Sequence, residues 1–166
     1  MESSLLDRRS IRRYKAGVAL TQQQLHNLLE AGMYAPSAHN SRPWHFVVCT
    51  DRDKLRQICE VHPYSKMLET ASAAILVCAD PEKSPLHYQQ DCAAATQNIL
   101  LAAQQQGLGS CWLGVCPREE LMRPMAEIFY IPGNIVPFGI IAVGVPDEQK
   151  PRPERFEPEK IHREQW

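Results

Sequence analysis

The sequence predicts one layered domain of the α/β or α+β class, in which helices cover a central β-sheet. Four apolar segments are typical of strands, and a helical pattern separates each of them from the next. The chain of 166 residues is long enough to bury a substantial core. It contains no recognisable internal repeat, so residues 1–166 are interpreted as a single domain.

The first two predicted helices flank a basic segment. A short helix over 3–8 precedes that segment, and Thr21 begins the second helix through a capping box with Gln24. Leucines at helical spacing follow the cap. The second helix should end near 32–35, because Pro36 cannot continue it.

A strand, a helix and a second strand are predicted next. Residues 44–50 form the first apolar strand, and Asp51 then caps a helix that carries Leu55 and Ile58 at helical spacing. Residues 73–79 form a second, continuous apolar strand.

The second half of the chain begins with a long helix over 85–106. A proline stands at its start, and Gly107 occupies its C-terminal capping position. Strands are predicted at 111–115 and 135–145, with a short helix over 118–129 between them. The centre of the long helix is apolar on most sides, so we expect it to be buried in the domain or against another subunit.

Composition and charge exclude several classes of protein. Apolar residues make up 44% and charged residues 22%, as in ordinary globular proteins. A net charge of −1 gives no general attraction to nucleic acid or to anionic membranes. The longest apolar run, 135–145, is too short to span a bilayer.

The cysteines and the N-terminus indicate a cytoplasmic protein. No secretory signal is visible, and the six cysteines include no Cys-x-x-Cys pair. We therefore expect reduced, mostly buried thiols, with a disulfide or a redox role as the alternative.

A basic motif near the N-terminus has the composition of a phosphate site. It reads R-R-S-I-R-R-Y over residues 8–14. Arginine makes bidentate, charge-assisted bonds to phosphate, and serine adds a compact hydroxyl donor. A solvated basic surface or a weak nucleic-acid patch is the alternative interpretation.

A second motif is a polar loop that runs into the first strand. It reads A-P-S-A-H-N-S-R-P-W-H-F over residues 35–46. Serine and asparagine can hydrogen-bond to the edge of a polar ring, although an ordinary helix-to-strand turn is the alternative. Taken together, the two motifs suggest a phosphorylated, planar ligand, and flavin mononucleotide (FMN) matches that description.

The two motifs resemble the signature of the FMN-dependent nitroreductase family. Two later segments agree with it: G-L-G-S-C-W-L-G over residues 107–114, and a charged C-terminal tail that contains Arg155. The resemblance extends from Leu5 to Arg155, nearly the whole chain. It implies an α+β layered sandwich with a mostly antiparallel central sheet flanked by helices.

The resemblance also implies which residues bind FMN. The phosphate and ribityl chain would contact the basic motif and one distal arginine, namely Arg8, Arg9, Ser10, Arg12 and Arg155. The isoalloxazine ring would lie beside Cys111, Trp112, Leu113 and Gly114. The polar loop would contact the flavin of the partner subunit through Pro36, Ser37, Ala38 and Asn40. The flavin sites of a homodimer would then lie at the subunit interface.

The C-terminal segment, residues 147–166, differs in character from the rest of the chain. Eleven of its residues are charged and three are proline, which is typical of a solvated tail. Phe156, Ile161 and Trp166, however, are spaced apolar residues that a free tail would not need. The resemblance implies an exchanged arm that packs on the partner subunit. For Arg155, an ion pair with a neighbouring glutamate is the alternative.

The implied activity is that of an FMN-dependent NAD(P)H oxidoreductase. Hydride would pass from NADH or NADPH to flavin N5, and electrons would then pass to a nitroaromatic, a quinone or a similar small-molecule acceptor in a ping-pong scheme. The chemistry would belong to the flavin, so no catalytic acid or base is assigned. A non-catalytic FMN carrier or sensor is the alternative. No metal site is assigned, because no zinc-ligand spacing is present.

Overall fold

A computed structural model describes residues 3–166, and its central feature is a four-stranded sheet. The strands are β1 (Trp44–Cys49), β2 (Ala73–Ala79), β3 (Gly109–Gly114) and β4 (Val136–Gly144). Each strand pairs antiparallel with its neighbours, and the order across the sheet is β1-β2-β4-β3. The expected antiparallel sheet is confirmed, with β1 and β3 at its two edges.

Five α-helices within residues 3–166 cover this sheet. They are α1 (Ser3–Asp7), α2 (Gln22–Met33), α3 (Arg52–Val61), α4 (Tyr88–Gln105) and α5 (Glu119–Phe129). Short 3₁₀ turns occur at Ala38–Asn40, Lys66–Glu69 and Pro158–Lys160. None of these described helices is long and apolar enough to cross a membrane. The predicted helices and strands are all present, with ends that differ by a few residues.

The helix ends follow local signals. Thr21 and Gln24 form the expected capping box: the Thr21 hydroxyl accepts from the Gln24 N–H at 3.1 Å, and the Gln24 side chain accepts from the Thr21 N–H at 2.9 Å. Gly107 ends α4 with a positive φ of 69°, and the Leu108 N–H then donates to the Ala103 carbonyl at 2.9 Å. This is a Schellman motif, in which glycine supplies the left-handed backbone.

Helix α4 begins later than the sequence predicts. The N–H groups of His87 and Tyr88 both donate to the Ser84 carbonyl, at 3.2 and 2.9 Å. Residues 84–87 therefore form a separate turn, and Pro85 belongs to that turn instead of the first turn of the helix.

Strand β2 is buried on both faces and divides the core in two. Leu76 faces one side and packs in a cluster with Ile58 of α3. Ile75 faces the other side and packs with Leu28 of α2 and Ile99 of α4. Because successive residues of a strand point to opposite faces, one apolar strand supports two helical layers. The result is the predicted layered sandwich, with helices on both faces of the sheet.

The basic motif is fastened along β3 by its apolar residues. The Ile11 N–H donates to the Ser110 carbonyl at 2.9 Å. The Ile11 side chain also packs so closely on Gly109 that a Cβ added there would lie 2.7 Å from it. The buried Tyr14 hydroxyl lies 2.7 Å from the Ile11 carbonyl and 3.2 Å from the Ala142 carbonyl. Burial raises the pKa of Tyr14 above its ordinary value, so the phenol stays protonated as a donor.

The chain beyond β4 runs over the surface. Residues 151–166 are exposed throughout, and they include Phe156 at 76%, Ile161 at 54% and Trp166 at 100% exposure. Large apolar side chains at such exposure remain available for a partner. Packing of this segment on a second subunit stays a prediction.

Gly144→Ala should destabilise the fold, because a Cβ at this position has no room. It would lie 2.9 Å from the Ser72 backbone nitrogen and 3.1 Å from the Tyr14 ring. The backbone cannot swing aside as a long side chain can, so we expect the free energy of unfolding to fall by about 1–3 kcal/mol. Urea denaturation at fixed protein concentration measures the change.

Gly133→Ala is the matched control for this substitution. Nothing lies within 4 Å of a Cβ built at Gly133. Its free energy of unfolding should stay within about 0.5 kcal/mol of the wild-type value. Equal stability of Gly144→Ala and the wild type would contradict the close packing of β4 on Ser72.

Candidate functional site

Strand β3 has a free edge that carries backbone hydrogen-bonding groups. Successive residues of an antiparallel strand direct their N–H and C=O groups alternately toward one neighbour and away from it. The Ser110 carbonyl accepts from Ile11, on the side away from β4. Trp112 and Gly114, two and four residues later, therefore face the same free side. Trp112 and the Gly114 N–H present backbone groups along this edge, whereas the Gly114 carbonyl is bonded to His62 and Arg118.

The fold brings part of the basic motif to this edge, around the Cys111 thiol. Burial raises the pKa of Cys111, and the positive charges of Arg12, Lys150 and Arg8, with a hydrogen bond to Ser10, oppose that rise. Lys150 Nζ also donates to the Ser10 carbonyl at 2.6 Å. Arg8, Ser10 and Arg12 thus form one cationic cluster with Cys111 beneath it.

Glu148 fixes the backbone of this cluster. Its Oε1 accepts from the Arg12 N–H at 2.6 Å and lies 3.4 Å from Lys150 Nζ. The hydrogen bond from the Arg12 N–H is the largest of the contacts that lower the pKa of Glu148, and the Lys150 contact adds to it. The Arg12 side chain itself is exposed.

Arg9 differs from the other arginines of the motif. Its guanidinium donates to three backbone carbonyls: Nε to Pro151 at 3.1 Å, Nη1 to Arg8 at 2.6 Å and Nη2 to Leu6 at 2.8 Å. These bonds tie α1, the basic motif and the C-terminal segment together. In this chain Arg9 is therefore occupied with backbone groups.

Arg155 lies beside Arg8 although the two are far apart in sequence. Burial lowers the pKa of Arg8, and the positive charges of Arg9 and Arg155 lower it further. With Arg152, these arginines line an open cleft of about 550 Å³. Positive charges gathered this closely favour an anion between them.

A second open cleft of about 550 Å³ is lined by Arg12. Arg13, Tyr64 and Lys66 also line it. The sequence analysis did not single out Lys66, because a lone lysine in a loop carries no motif. Only the fold places it across the cleft from the basic motif.

The polar loop before β1 has a strained backbone. His39, Asn40 and Arg42 have positive φ angles of 53°, 53° and 45°. Such angles are costly for residues other than glycine and persist only where surrounding contacts fix them. One of these contacts is the bond from the Arg42 N–H to the Ser37 hydroxyl at 2.9 Å.

A buried carboxylate anchors this loop from α4. Asp91 is 5% exposed; its Oδ1 accepts from the Ala38 N–H at 2.9 Å and its Oδ2 from the Ser84 hydroxyl at 2.7 Å. The sequence analysis missed Asp91, because an acid in the first turn of a helix is an ordinary feature. Its partners are visible only in the structure.

The polar loop and the basic motif lie at opposite edges of the sheet. The loop leads into β1, whereas the motif lies alongside β3. Strands β2 and β4 stand between them. Three strand spacings amount to about 14 Å. Within residues 3–166, no hydrogen bond joins residues 36–40 to residues 8–12 or to β3. One chain alone does not bring all the predicted site residues together.

Two other kinds of site find no support in the described chain. Residues 3–166 contain no group of three His, Cys, Asp or Glu side chains that could hold a metal ion. The six cysteines are free thiols. Gly107 and Gly109 join the end of α4 to the start of β3, the reverse of the strand-to-helix order in a dinucleotide-binding loop.

Comparison with known sequences gives a consistent result. The family model for nitroreductases matches residues 5–71 and 60–145. A protein of Archaeoglobus fulgidus, named as an inferred NADH dehydrogenase/NAD(P)H nitroreductase, is 48% identical over 165 residues. The alignment covers 96% of this chain and 94% of that protein.

Solved structures agree with the sequences. An inferred NADH dehydrogenase/NAD(P)H nitroreductase from Parabacteroides distasonis superimposes with a TM-score of 0.95 at 35% identity, over 99% of this chain and 97% of that one. An FMN-dependent nitroreductase from Clostridium difficile gives a TM-score of 0.93 at 31% identity, over 100% of both chains. Similarity over nearly the full length, in both sequence and fold, shows that this chain belongs to the nitroreductase family.

Proposed function

We propose that this chain is a homodimeric oxidoreductase of the nitroreductase type that uses FMN and NAD(P)H. The observation that carries the proposal is the basic motif fastened beside the free edge of β3, with cations in two clefts around it. Arg8 and Arg155 line one of these clefts, and Arg12 and Lys66 line the other. Such an arrangement suits an elongated ligand with a phosphate at one end and a polar ring at the other.

The residues at the Arg8 end fit a phosphate. The half-buried Arg8 offers a planar fork of donors, and Ser10 adds a hydroxyl. A phosphate between Arg8 and Arg155 would relieve the repulsion that contributes to the lowered pKa of Arg8. Arg9 would act indirectly, since its guanidinium already fastens the motif to neighbouring backbone.

The residues along β3 fit a flat ring. A Cβ added at Gly114 meets nothing within 4 Å, so a ring can approach the backbone there. The outward N–H of Gly114 is a donor for an acceptor atom on the ring rim, such as N5. Trp112 is 37% exposed and would border the ring. Cys111 and Leu113 are buried, so they would support the strand from behind.

Arg12 and Lys66 fit the other end of the ring. Both are exposed cations that line the same cleft. Positive charge at this end would stabilise the negative charge that the pyrimidine side of the ring gains on reduction. Lys66 therefore joins the cofactor-binding residues that the sequence resemblance implies.

The strand order supports a site shared between two subunits. A flavin on β3 of one chain cannot also reach the polar loop of that chain, which lies at the far edge of the sheet. The partner subunit would supply this contact through the loop residues Pro36, Ser37, Ala38 and Asn40. The C-terminal segment 147–166, which is exposed from residue 151 onward, would pack on the same partner.

FMN held by Arg8, Ser10, Arg12 and the edge of β3 would supply the redox chemistry, which is electron transfer from NADH or NADPH to a second substrate, such as a nitroaromatic or a quinone, in a ping-pong scheme. The chain binds the phosphate, orients the ring and leaves one face open to both substrates. No side chain is assigned as a catalytic acid or base. A flavin carrier or sensor would use the same binding residues without turnover.

Visible absorption spectroscopy tests the proposal. The purified protein is mixed with FMN, desalted, and then mixed anaerobically with NADPH or NADH in a stopped-flow instrument. Retained flavin bands that bleach rapidly are expected. Bands that persist after mixing would favour the carrier or sensor, and loss of flavin on desalting would contradict both.

Joint substitution of Arg8→Ala and Arg12→Ala should weaken FMN binding. Each removes a charge-assisted contact at one end of the ligand, so we expect the Kd for FMN to rise by at least about 100-fold. Flavin fluorescence titration measures it. Arg56→Ala is the control, because Arg56 forms an exposed ion pair with Asp53 at 2.5 Å away from the cluster. An unchanged Kd in the double variant would refute the assignment of both arginines to the flavin site.

Asp91→Ala should weaken FMN binding, because Asp91 anchors the polar loop that would contact the flavin of the partner subunit. It leaves the Ala38 N–H without an acceptor and frees the strained loop, so the Kd should rise by about tenfold. Asp91→Asn keeps an oxygen for the Ala38 N–H, and its Kd should stay within about threefold of the wild-type value. Thermal melts confirm that both variants fold. If both variants bind FMN with the wild-type Kd, the loop is not part of the flavin site.

A further inference from the structure

His62 is a buried polar side chain at the point where two walls of the proposed flavin cleft meet. It is 2% exposed and follows directly after α3. Its N–H donates to the Ile58 carbonyl at 2.9 Å, and its own carbonyl accepts from the Ser65 hydroxyl at 2.7 Å. The backbone of His62 is therefore held on both sides, and the point from which its ring projects is fixed.

The ring of His62 uses both of its nitrogens. Nε2 lies 3.0 Å from the Gly114 carbonyl oxygen, and the Tyr64 N–H donates to Nδ1 at 3.2 Å. A carbonyl can only accept and a backbone N–H can only donate. These partners assign the tautomer: Nε2 carries the hydrogen, and Nδ1 is the acceptor.

The first of these bonds reaches the free edge of β3. The Gly114 carbonyl also accepts from Arg118 Nη2 at 2.6 Å, so two donors hold one oxygen. Glycine has no side chain to restrain its backbone, and its peptide groups would otherwise turn easily. Pinning the carbonyl fixes the peptide between Gly114 and Val115, and this limits the ψ rotation of Gly114, next to the N–H that faces the ring site.

The second bond, from the Tyr64 N–H to Nδ1, reaches the segment on the opposite side of the proposed cleft. Tyr64 lies two residues before Lys66, and both line the cleft with Arg12. The Leu68 N–H donates to the Ser65 carbonyl at 2.8 Å, which continues the same short rigid segment. The ring of His62 thus links the strand edge to the segment that carries the Lys66 cation.

We propose that His62 is a positioning residue that sets the Gly114 peptide and the Lys66 segment at a fixed spacing around the flavin ring. It touches neither cofactor nor substrate and acts through Gly114 and Tyr64. Binding sites lose affinity when their contact groups shift by a fraction of an ångström, so such a support affects the ligand directly. The inference rests on the proposed function, because the ring site is part of it.

Two isosteric variants separate the two bonds. His62→Gln places an amide nitrogen near the position of Nε2 and keeps a donor for Gly114, but loses the acceptor for Tyr64. His62→Asn places an oxygen near the position of Nδ1 and keeps the acceptor for Tyr64, but loses the donor for Gly114. Hydrogen exchange measured by NMR on the apoprotein should be faster at Tyr64 in the first variant and at Val115 in the second, each by about tenfold or more.

The cofactor supplies a second, independent measurement. We expect His62→Asn to raise the Kd for FMN by at least about tenfold and to shift the absorption bands and the reduction potential of bound flavin. His62→Gln should lie between this variant and the wild type. Thr96→Val is the matched control, because Thr96 is fully buried and donates to the Cys92 carbonyl at 2.7 Å within α4. It should lower the melting temperature and leave the flavin measurements unchanged.

The outcomes distinguish positioning from plain structural support. If His62→Asn lowers the melting temperature as Thr96→Val does but leaves flavin affinity, spectrum and potential at wild-type values, the proposal is overturned. Unchanged exchange at Val115 in His62→Asn would overturn it as well. If the wild-type protein binds no FMN, the proposed function fails and the flavin part of the inference falls with it. The hydrogen-exchange data on the apoprotein would then show whether His62 still links the edge of β3 to the segment that carries Lys66.

Discussion

The pairing of β2 with β4 at the centre of the sheet is the constraint on which the rest of the structure depends. Both strands are buried along almost their whole length, so each requires strand neighbours on both sides and helices on both faces. Strands β1 and β3 are left at the edges. The polar loop and the basic motif, which adjoin these two strands, are consequently held apart. The proposal that a second subunit completes the flavin site rests on this separation.

Buried apolar residues, and not attraction between charges, hold the cations of the basic motif beside β3. Burial lowers the pKa of Arg8, and repulsion from the positive charges of Arg9 and Arg155 lowers it further. The buried Ile11 and Tyr14, bonded to β3 and β4, hold the motif in place despite this repulsion. The stability of the core thus offsets an unfavourable cluster of charge, and an anionic ligand would relieve it. Arrangements that break a local rule in this way are typical of binding sites.

The sequence predicted most of the fold because its signals are local. The capping box at Thr21, the glycine after α4 and the apolar runs of β2 and β4 each depend on residues a few positions apart. For the site, the sequence singled out Arg8, Ser10 and Arg12 as one motif, and their grouping as an FMN site stays a prediction. It did not predict that Arg9 would bond to backbone. The supporting residues Asp91, Lys66 and His62 were missed, because single polar residues produce no periodic pattern.

By itself, the sequence determined which segments are helices and strands, their ends to within a few residues, and which family the motifs resemble. The tertiary structure decided the order of the strands, the edge on which each motif lies, and which polar groups become partners. The physical reason is distance along the chain. His62 and Gly114 are 52 residues apart, and Ala38 and Asp91 are 53 apart. Such bonds form only when the packing of the whole sheet and both helical layers brings their atoms together, and no local pattern encodes that packing.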